Sequence, residues 1–356
     1  MKILLALIAS NIGKKPFCEF KSKYRNIQIP SVYSGSFAWY WIKALKQLGH
    51  AVETVSLYKT HIELEWSDLN RWYGFICRRL GGNFLIEKMA SIKLEAKVAK
   101  FRPDIVLVDS GYTLRPEIIR KIKKQYSTIF ITWLYDDPVN QGWQNVIKSF
   151  PFYDHIFTFD RYYVPKYLAL GANRVSYLPL ACDTDIFFRI DSIIHKSFDL
   201  SFVGTITQNR KAIIPMLSRF DLNIWTKSRN DLPEDFKGSK YFRGKAYGEK
   251  VNRIYNSTKI ALNFHHPQSV CGTNMRTFEI ASSGTFQLID HKTNLADLFE
   301  LGKEIISFSK IEELPGLIRF YLKHEKLRTA IGLNSLKRAQ SEHTYLQRFN
   351  TMLSYL

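Results

Sequence analysis

Cysteine and acidic residues are both scarce in this chain. Four of its 356 residues are cysteine. Cys18, Cys77, Cys182 and Cys271 stand far apart, in neither a metal-ligand spacing nor a disulfide framework. The pattern gives no reason to invoke a metal and leaves reduced, partly buried thiols. No apolar run reaches the roughly 20 residues that span a bilayer. The opening stretch MKILLALIASNIGKK has one flanking lysine, a short apolar run and no small-residue cleavage site. It therefore reads as a buried first strand rather than a signal peptide, and a cytoplasmic protein is expected. There is no GxGxxG fingerprint, which argues against a nicotinamide dehydrogenase. Repeats and low-complexity tracts are absent as well.

The shortage of acids matters most for partners. Asp and Glu number 32 against 51 Lys and Arg, a formal net charge of +19. Such an excess implies an anionic partner: nucleic acid, an acidic membrane surface or a phosphorylated substrate. No recognised nucleic-acid module or RNP-type aromatic pattern appears, which argues against nucleic acid. The composition, 46% hydrophobic and 23% charged, is that of a soluble globular protein, and the length suffices for two cores.

Short apolar strands alternate with amphipathic helical patterns. MKILLALIA, AVETVSL, DIVLVD, TIFITWLY, HIFTFD and RVSYLPL form one set. FDLSFVG, LNIWT, KIALNFH, TFQLID and EIISFS form the second. This alternation predicts an α/β fold of two Rossmann-like, doubly wound domains with parallel sheets. The expected division is an acceptor domain over residues 1–190, a donor-binding domain over 197–339, and a C-terminal helix over 340–356 that returns to the first. The polar segment RIDSIIHKS reads as the linker.

Ligands of such sheets sit beyond the C-terminal ends of the strands. The most informative stretch there is KIALNFHHPQSVCGTNMRTFEIASSGTFQLID, Lys259 to Asp290, read as strand, loop, helix and strand, with Gly284 as the helix stop. Arg276 and Glu279 are three apart and share a helix face near its N-terminus. That helix end and Arg276 suit a phosphate, and Glu279 suits sugar hydroxyls. Together they suit a nucleotide diphosphate-sugar. Gly204 in FVGTITQNRK lets a ligand approach the backbone, and Arg210 and Lys211 follow at a strand-to-helix turn. Asn263 and Asn274 complete the donor-side candidates; Asn263 reads equally as a buried structural amide. His265 and His266 are adjacent and point to opposite faces, which excludes a metal pair.

In the first set, Asp136 and Asp137 of WLYDDPVNQGW lie at a strand end. They are candidates for a general base, with an Asp-Pro turn as the other reading. Asp109 and Ser110 hold a similar position. The long loop after the first strand carries Lys14 and Lys15 among aromatics, and RWYGFICRRLGG carries Arg78 and Arg79. Each reads either as an acceptor- or membrane-touching surface or as an ordinary solvated one.

The chain resembles the GT-B glycosyltransferases and, within them, the spore maturation protein CgeB-like group. KIALNFHH, RTFEIASSG, FELGKEIISF and EHTYLQR carry the resemblance, with YVPKYLALGANRVSYLPLACDTDIF and DLSFVGTITQNR upstream. It runs from about Asp154 to the C-terminus. It implies two Rossmann-like domains facing across a cleft, with the donor mainly on the second. Glu279 would hold the donor ribose; Arg276, Arg210 and Lys211 would hold the diphosphate. Many retaining relatives place a glutamate eight positions before the ribose-holding one. Cys271 stands there in this chain, a departure that bears on the sugar and the stereochemical outcome. The resemblance also implies a metal-independent, hexosyltransferase-type enzyme, with the nucleotide-sugar as co-substrate and no other cofactor. A saccharide or lipid-linked acceptor of cell-envelope polysaccharide or glycolipid synthesis is expected, on the inner face of the membrane. The alternatives are an inactive GT-B protein that binds sugar nucleotide or scaffolds a complex, and a basic nucleic-acid-binding protein.

Overall fold

The computed structural model describes residues 1–7, 17–21, 26–30, 37–57, 83–238 and 240–356. Lys14, Lys15, Arg78 and Arg79 lie outside the described residues, as do Ser34, Gly35 and Ser36. The chain divides into two compact units, one of Met1–Leu178 with Met352–Leu356 and the other of Pro179–Thr351.

The first unit is built on β1 (Lys2–Leu7), β4 (Ala51–Ser56), β5 (Ile105–Val108), β6 (Ile129–Leu134), β7 (His155–Thr158) and β8 (Val175–Tyr177). They form one sheet in the order β4-β1-β5-β6-β7-β8 with every pairing parallel. The central strands β5 and β7 are buried throughout, which is why they read as short unbroken apolar runs rather than alternating ones. Helices α1 (Phe37–Gln47), α2 (Asn83–Phe101), α3 (Pro116–Gln125), α4 (Gln144–Ser149) and α5 (Tyr163–Ala169) connect the strands. Trp41 of α1 stacks on Trp133 of β6 at 5.5 Å, and both are fully buried. The stretch read as a single long loop contains a hairpin, β2 (Phe17–Lys21) paired antiparallel with β3 (Asn26–Pro30).

The second unit carries β9 (Phe198–Val203), β10 (Leu222–Trp225), β11 (Thr258–Asn263), β12 (Gln287–Asp290) and β13 (Ile306–Phe308). Its sheet is also parallel, in the order β10-β9-β11-β12-β13. The strand order reverses between β9 and β11, and such a reversal opens a crevice at the strands' C-terminal ends. Helices α6 (Gln208–Ile213), α7 (Glu249–Asn256), α8 (Met275–Ser282), α9 (Leu314–Lys323), α10 (Glu325–Glu342) and α11 (Tyr345–Ser354) complete it. Gly284 ends α8 in the left-handed region, at φ +70°. A Cβ on Gly332 of α10 would lie 2.6 Å from the Gly284 carbonyl oxygen, so α10 crosses this turn at a distance only glycine permits.

The segment expected as the linker, residues 189–197, lies inside the second unit, bound to α7. Asn252 Oδ1 accepts from the Phe188 N–H at 3.2 Å, and Asn256 Oδ1 from the Ile190 N–H at 2.8 Å. The C-terminal stretch also belongs largely to the second unit, and only Met352–Leu356 cluster with the first. His343 Nε2 donates to the Leu298 carbonyl at 2.7 Å. Arg348 donates to His343 Nδ1 at 2.8 Å and to the Pro179 carbonyl at 2.8 Å. His343, Thr344 and Arg348 therefore fasten the second unit to itself. Thr344 and Gln347 close a capping box on α11: the Thr344 N–H donates to Gln347 Oε1 at 2.8 Å, and the Gln347 N–H to Thr344 Oγ1 at 3.3 Å.

Candidate functional site

The C-terminal edge of the second sheet is assembled from three chain segments. The first is the β9-to-α6 turn. Gly204 follows β9, where a Cβ would meet the Phe202 ring at 3.3 Å and an Arg210 guanidinium nitrogen at 3.8 Å. The tight approach is to the Phe202 ring, over which the Arg210 guanidinium lies. Arg210 Nη1 donates to the Thr205 carbonyl at 2.7 Å, and Nη2 to the Phe264 carbonyl just past β11. It therefore bridges the switch-point crevice between β9 and β11. Its Nε is buried with no hydrogen-bond partner among the described residues. Burial pulls the Arg210 pKa down to about 10; Asp290 opposes this, and Arg276 adds to it. The two arginines are thus close enough to repel. Lys211 is half-buried on the same short helix.

The second segment is the loop from β11 to α8. Asn274 caps α8, its Oδ1 accepting from the Thr277 N–H at 3.2 Å, and its Nδ2 donates to Asn263 Oδ1 at 2.8 Å. Asn263 Nδ2 donates to Thr277 Oγ1 at 3.1 Å and Gln287 Oε1 at 3.2 Å. Asn263 is 3% exposed with both its N–H bonds used internally. Its place is therefore structural: it pins the N-terminus of α8 to β11 and β12, and the ligand-binding reading is corrected. Further hydrogen bonds link the Thr273 and Thr277 hydroxyls, and Thr273 Oγ1 with His265 Nε2 at 2.9 Å.

The third segment is the end of β12. Asp290 Oδ1 accepts from the His265 backbone N–H at 2.7 Å and pairs with His265 Nδ1 at 2.8 Å. The two ring nitrogens of His265 thus join Asp290 to Thr273. Burial alone would push the Asp290 carboxyl up, but the hydrogen bonds and charge of His265 outweigh it and hold it below the usual range. His265 is buried and His266 exposed, as their opposite directions require. Neither Asp290 nor its pairing with His265 was foreseen; its signal was its position as the last residue of a strand.

Arg276 and Glu279 do share a face of α8, and they bond each other. Arg276 Nη1 donates to Glu279 Oε2, with side-chain exposures of 28% and 1%. Burial raises the Glu279 pKa, and Arg276 works against that rise. The expected hydroxyl acceptor is thus closed off beneath the arginine that it orients. Contact between Glu279 and a ribose hydroxyl requires that pair to open.

The first unit's edge is chemically different. Asp109 follows β5; its Oδ1 accepts from the Tyr135 hydroxyl at 2.5 Å and the Ser110 hydroxyl at 3.3 Å. Burial and the Asp109 charge push the Tyr135 hydroxyl well above its ordinary pKa. Ser110 adopts φ +58°, a strained value for a residue with a Cβ. Asp137 is buried, and its Oδ1 accepts from the Val139 N–H at 3.0 Å. That is the turn role of an Asp-Pro step. Asp136 is half-buried beside it. The Cys182 thiol is pushed up to about 12 by burial, which keeps it protonated. Among the described residues no group of three or more His, Cys, Asp or Glu could hold a metal ion. Among the same residues no helix is long and apolar enough to cross a membrane.

Residues 208–354 match a family model described as glycosyl transferase-like. That span includes Arg210, Arg276, Glu279, His265 and Asp290. No curated protein matches the chain. Among solved structures, the sucrose-phosphate synthase of Thermosynechococcus elongatus is similar over 99% of this chain and 98% of its own, with TM-score 0.65 and 11% identity. A glycosyltransferase from Rickettsia africae is similar over 99% and 97%, with TM-score 0.59 and 12% identity. Anabaena HepE, in complex with UDP, is similar over the whole of both chains, with TM-score 0.57 and 10% identity. At these identities the likeness is one of fold: two parallel-sheet, Rossmann-like domains of the GT-B kind.

Proposed function

We propose that this chain is a glycosyltransferase that transfers a sugar from a nucleotide-sugar to an acceptor hydroxyl. The observation that carries the reading is the convergence of Arg210 and Arg276 on the switch-point edge of the second sheet, beside the capped N-terminus of α8. Backbone N–H groups in a first helical turn lack partners inside the helix, and the helix dipole favours negative charge there. Arg210 Nε is buried without a hydrogen-bond partner among the described residues and Arg276 adds to the positive charge there, and a diphosphate relieves both. HepE is solved with UDP and with UDP-glucose, so uridine diphosphate is the first nucleotude class to test.

In the reaction the acceptor oxygen attacks the anomeric carbon, and the bond from that carbon to the β-phosphate oxygen breaks. The departing diphosphate carries the electron pair. Arg276, Arg210 and the α8 terminus stabilise its charge, and the reading assigns no step to a metal. The acceptor proton goes to a base, with Asp136 and then Asp109 the candidates by chemistry. A CgeB-like affiliation, a cell-envelope acceptor and a site of action at the membrane surface are the finer parts of the reading. They rest on the RTFEIASSG and EHTYLQR motifs and on the net charge of +19.

The test is a thermal-shift screen of nucleoside diphosphates and nucleotide-sugars on the wild type and on the double variant Arg276→Met, Glu279→Gln. A ligand at one hundred times its Kd stabilises by about 2.7 kcal/mol. The expected result is selective stabilisation of the wild type by one nucleotide, absent from the variant. Failure of every nucleotide to stabilise the wild type would overturn the reading.

A further inference from the structure

The second unit holds a separate cavity of about 240 Å³ at the opposite, N-terminal edge of its sheet. Thr258, the first residue of β11, and Thr285 and Phe286, just before β12, form part of its wall. The donor-side arginines follow strand ends and are not among its lining residues. Four cationic side chains line the cavity, Arg189, Lys196, Lys259 and Arg328, against two carboxylates, Asp191 and Glu325.

The pairing of these charges is incomplete. Lys259 is matched by Asp199 at 2.7 Å and Arg189 by the highly exposed Asp191 at 2.9 Å. Lys196 donates to the Asn256 carbonyl at the end of α7. Arg328 is 6% exposed, and its Nη1 donates to the Tyr321 carbonyl at 2.5 Å, near the end of α9. The Glu325 and Asp199 charges act favourably on Arg328, while Lys196 is held by a carbonyl. The Lys196 ammonium is held below the ordinary lysine range by burial first, and then by Arg189 and Arg328. The first turns of α10, an 18-residue helix whose N-cap side chain makes no capping bond to the first-turn N–H groups, reach the same cavity through Glu325, Arg328 and Thr329. The helix dipole adds further positive potential there.

We propose that this cavity is a second anion site, which takes the phosphoryl group of a small phosphorylated molecule independently of the donor edge. Arg189 and Lys196 are exposed at the rim and Arg328 is buried in the wall, and like charges gathered round one opening are relieved by a bound dianion. The volume accommodates a phosphate or diphosphate group and is below the usual range of pockets for whole drug-sized ligands.

The experiment titrates orthophosphate and pyrophosphate into the full chain, against potassium chloride at matched ionic strength, with binding read by calorimetry and thermal shift. It uses the wild type, the cavity variant Arg189→Gln, Lys196→Gln, and the donor-edge variant Arg276→Met, Glu279→Gln. The expected result is a saturable site that persists in the donor-edge variant and weakens at least tenfold in the cavity variant. Both cavity substitutions are at non-core positions, and each variant's fold is checked by its unfolding cooperativity. Loss of binding in the donor-edge variant alone, equal binding in all three proteins, or no saturable binding in the wild type would each overturn the proposal. A donor-edge failure leaves the nucleotide screen silent but this titration intact, so the two readings fall separately.

Discussion

The two sheets share a parallel, doubly wound topology, yet among the described residues their C-terminal edges gather different side chains. At the first, Asp109 and Asp136 act on Tyr135, and Asp137 and Asp160 on Tyr163, with Ser110 in a strained conformation. At the second stand Arg210 and Arg276, with Lys227 and Lys292 following β10 and β12. Topology sets where a ligand sits; side-chain charge sets which ligand. On the proposed reading the second edge takes the diphosphate and the first the acceptor.

The sharpest way to break this comparison is to remove the arginine of the basic edge. Arg276→Ala leaves Glu279 buried without its partner, which is expected to cost about 3–5 kcal/mol of stability at neutral pH. Adding Glu279→Gln should recover most of that loss in a denaturant titration. Equal stability of the single and double variants would show that Glu279 does not depend on Arg276. Nucleotide binding is the next largest effect. The double variant should weaken UDP by about 1.5–3 kcal/mol, whereas Asp136→Asn, on the acidic edge, should leave UDP affinity unchanged in calorimetry.

The pair between His265 and Asp290 gives the basic edge a pH signature. The folded pKa of Asp290 lies below its unfolded value, so its stabilisation is complete above about pH 4. It is lost as pH falls through the depressed folded value. Asp290→Asn should therefore cost about 1.5 kcal/mol near neutrality and converge with the wild type in acid, as followed by urea unfolding against pH. The smallest effect belongs to the acidic edge. Ser110→Gly should stabilise the first unit by up to about 1 kcal/mol through relief of φ +58°. Gly111→Ala should destabilise it, because φ is +70° there and a Cβ would lie 2.9 Å from Val108 Cγ1.

The strands were legible because central parallel strands are buried on both faces and read as unbroken apolar runs. The hairpin of β2 and β3 was not, because its two five-residue strands pair only with each other and sit among basic residues that resemble a loop. The domain boundary was missed for a different reason. Asn252 and Asn256 lie more than 60 residues from the Phe188 and Ile190 N–H groups they hold, and no local pattern announces such bonds. At the site, the spacing of Arg276 and Glu279 showed a shared helix face. It did not show whether they face a ligand or each other, because that depends on side-chain rotamers. Asn263 illustrates the same limit: one amide is right for a ligand or for a scaffold, and only its partners distinguish the two.

The central claim is that the basic edge of the second sheet holds a nucleoside diphosphate, and a crystal structure of the chain with UDP tests it most directly. The account predicts the β-phosphate within hydrogen-bond distance of Arg276 and the first backbone N–H groups of α8. A diphosphate seated instead at the Asp109 and Asp136 edge, or only in the cavity of Arg189 and Lys196, would contradict it.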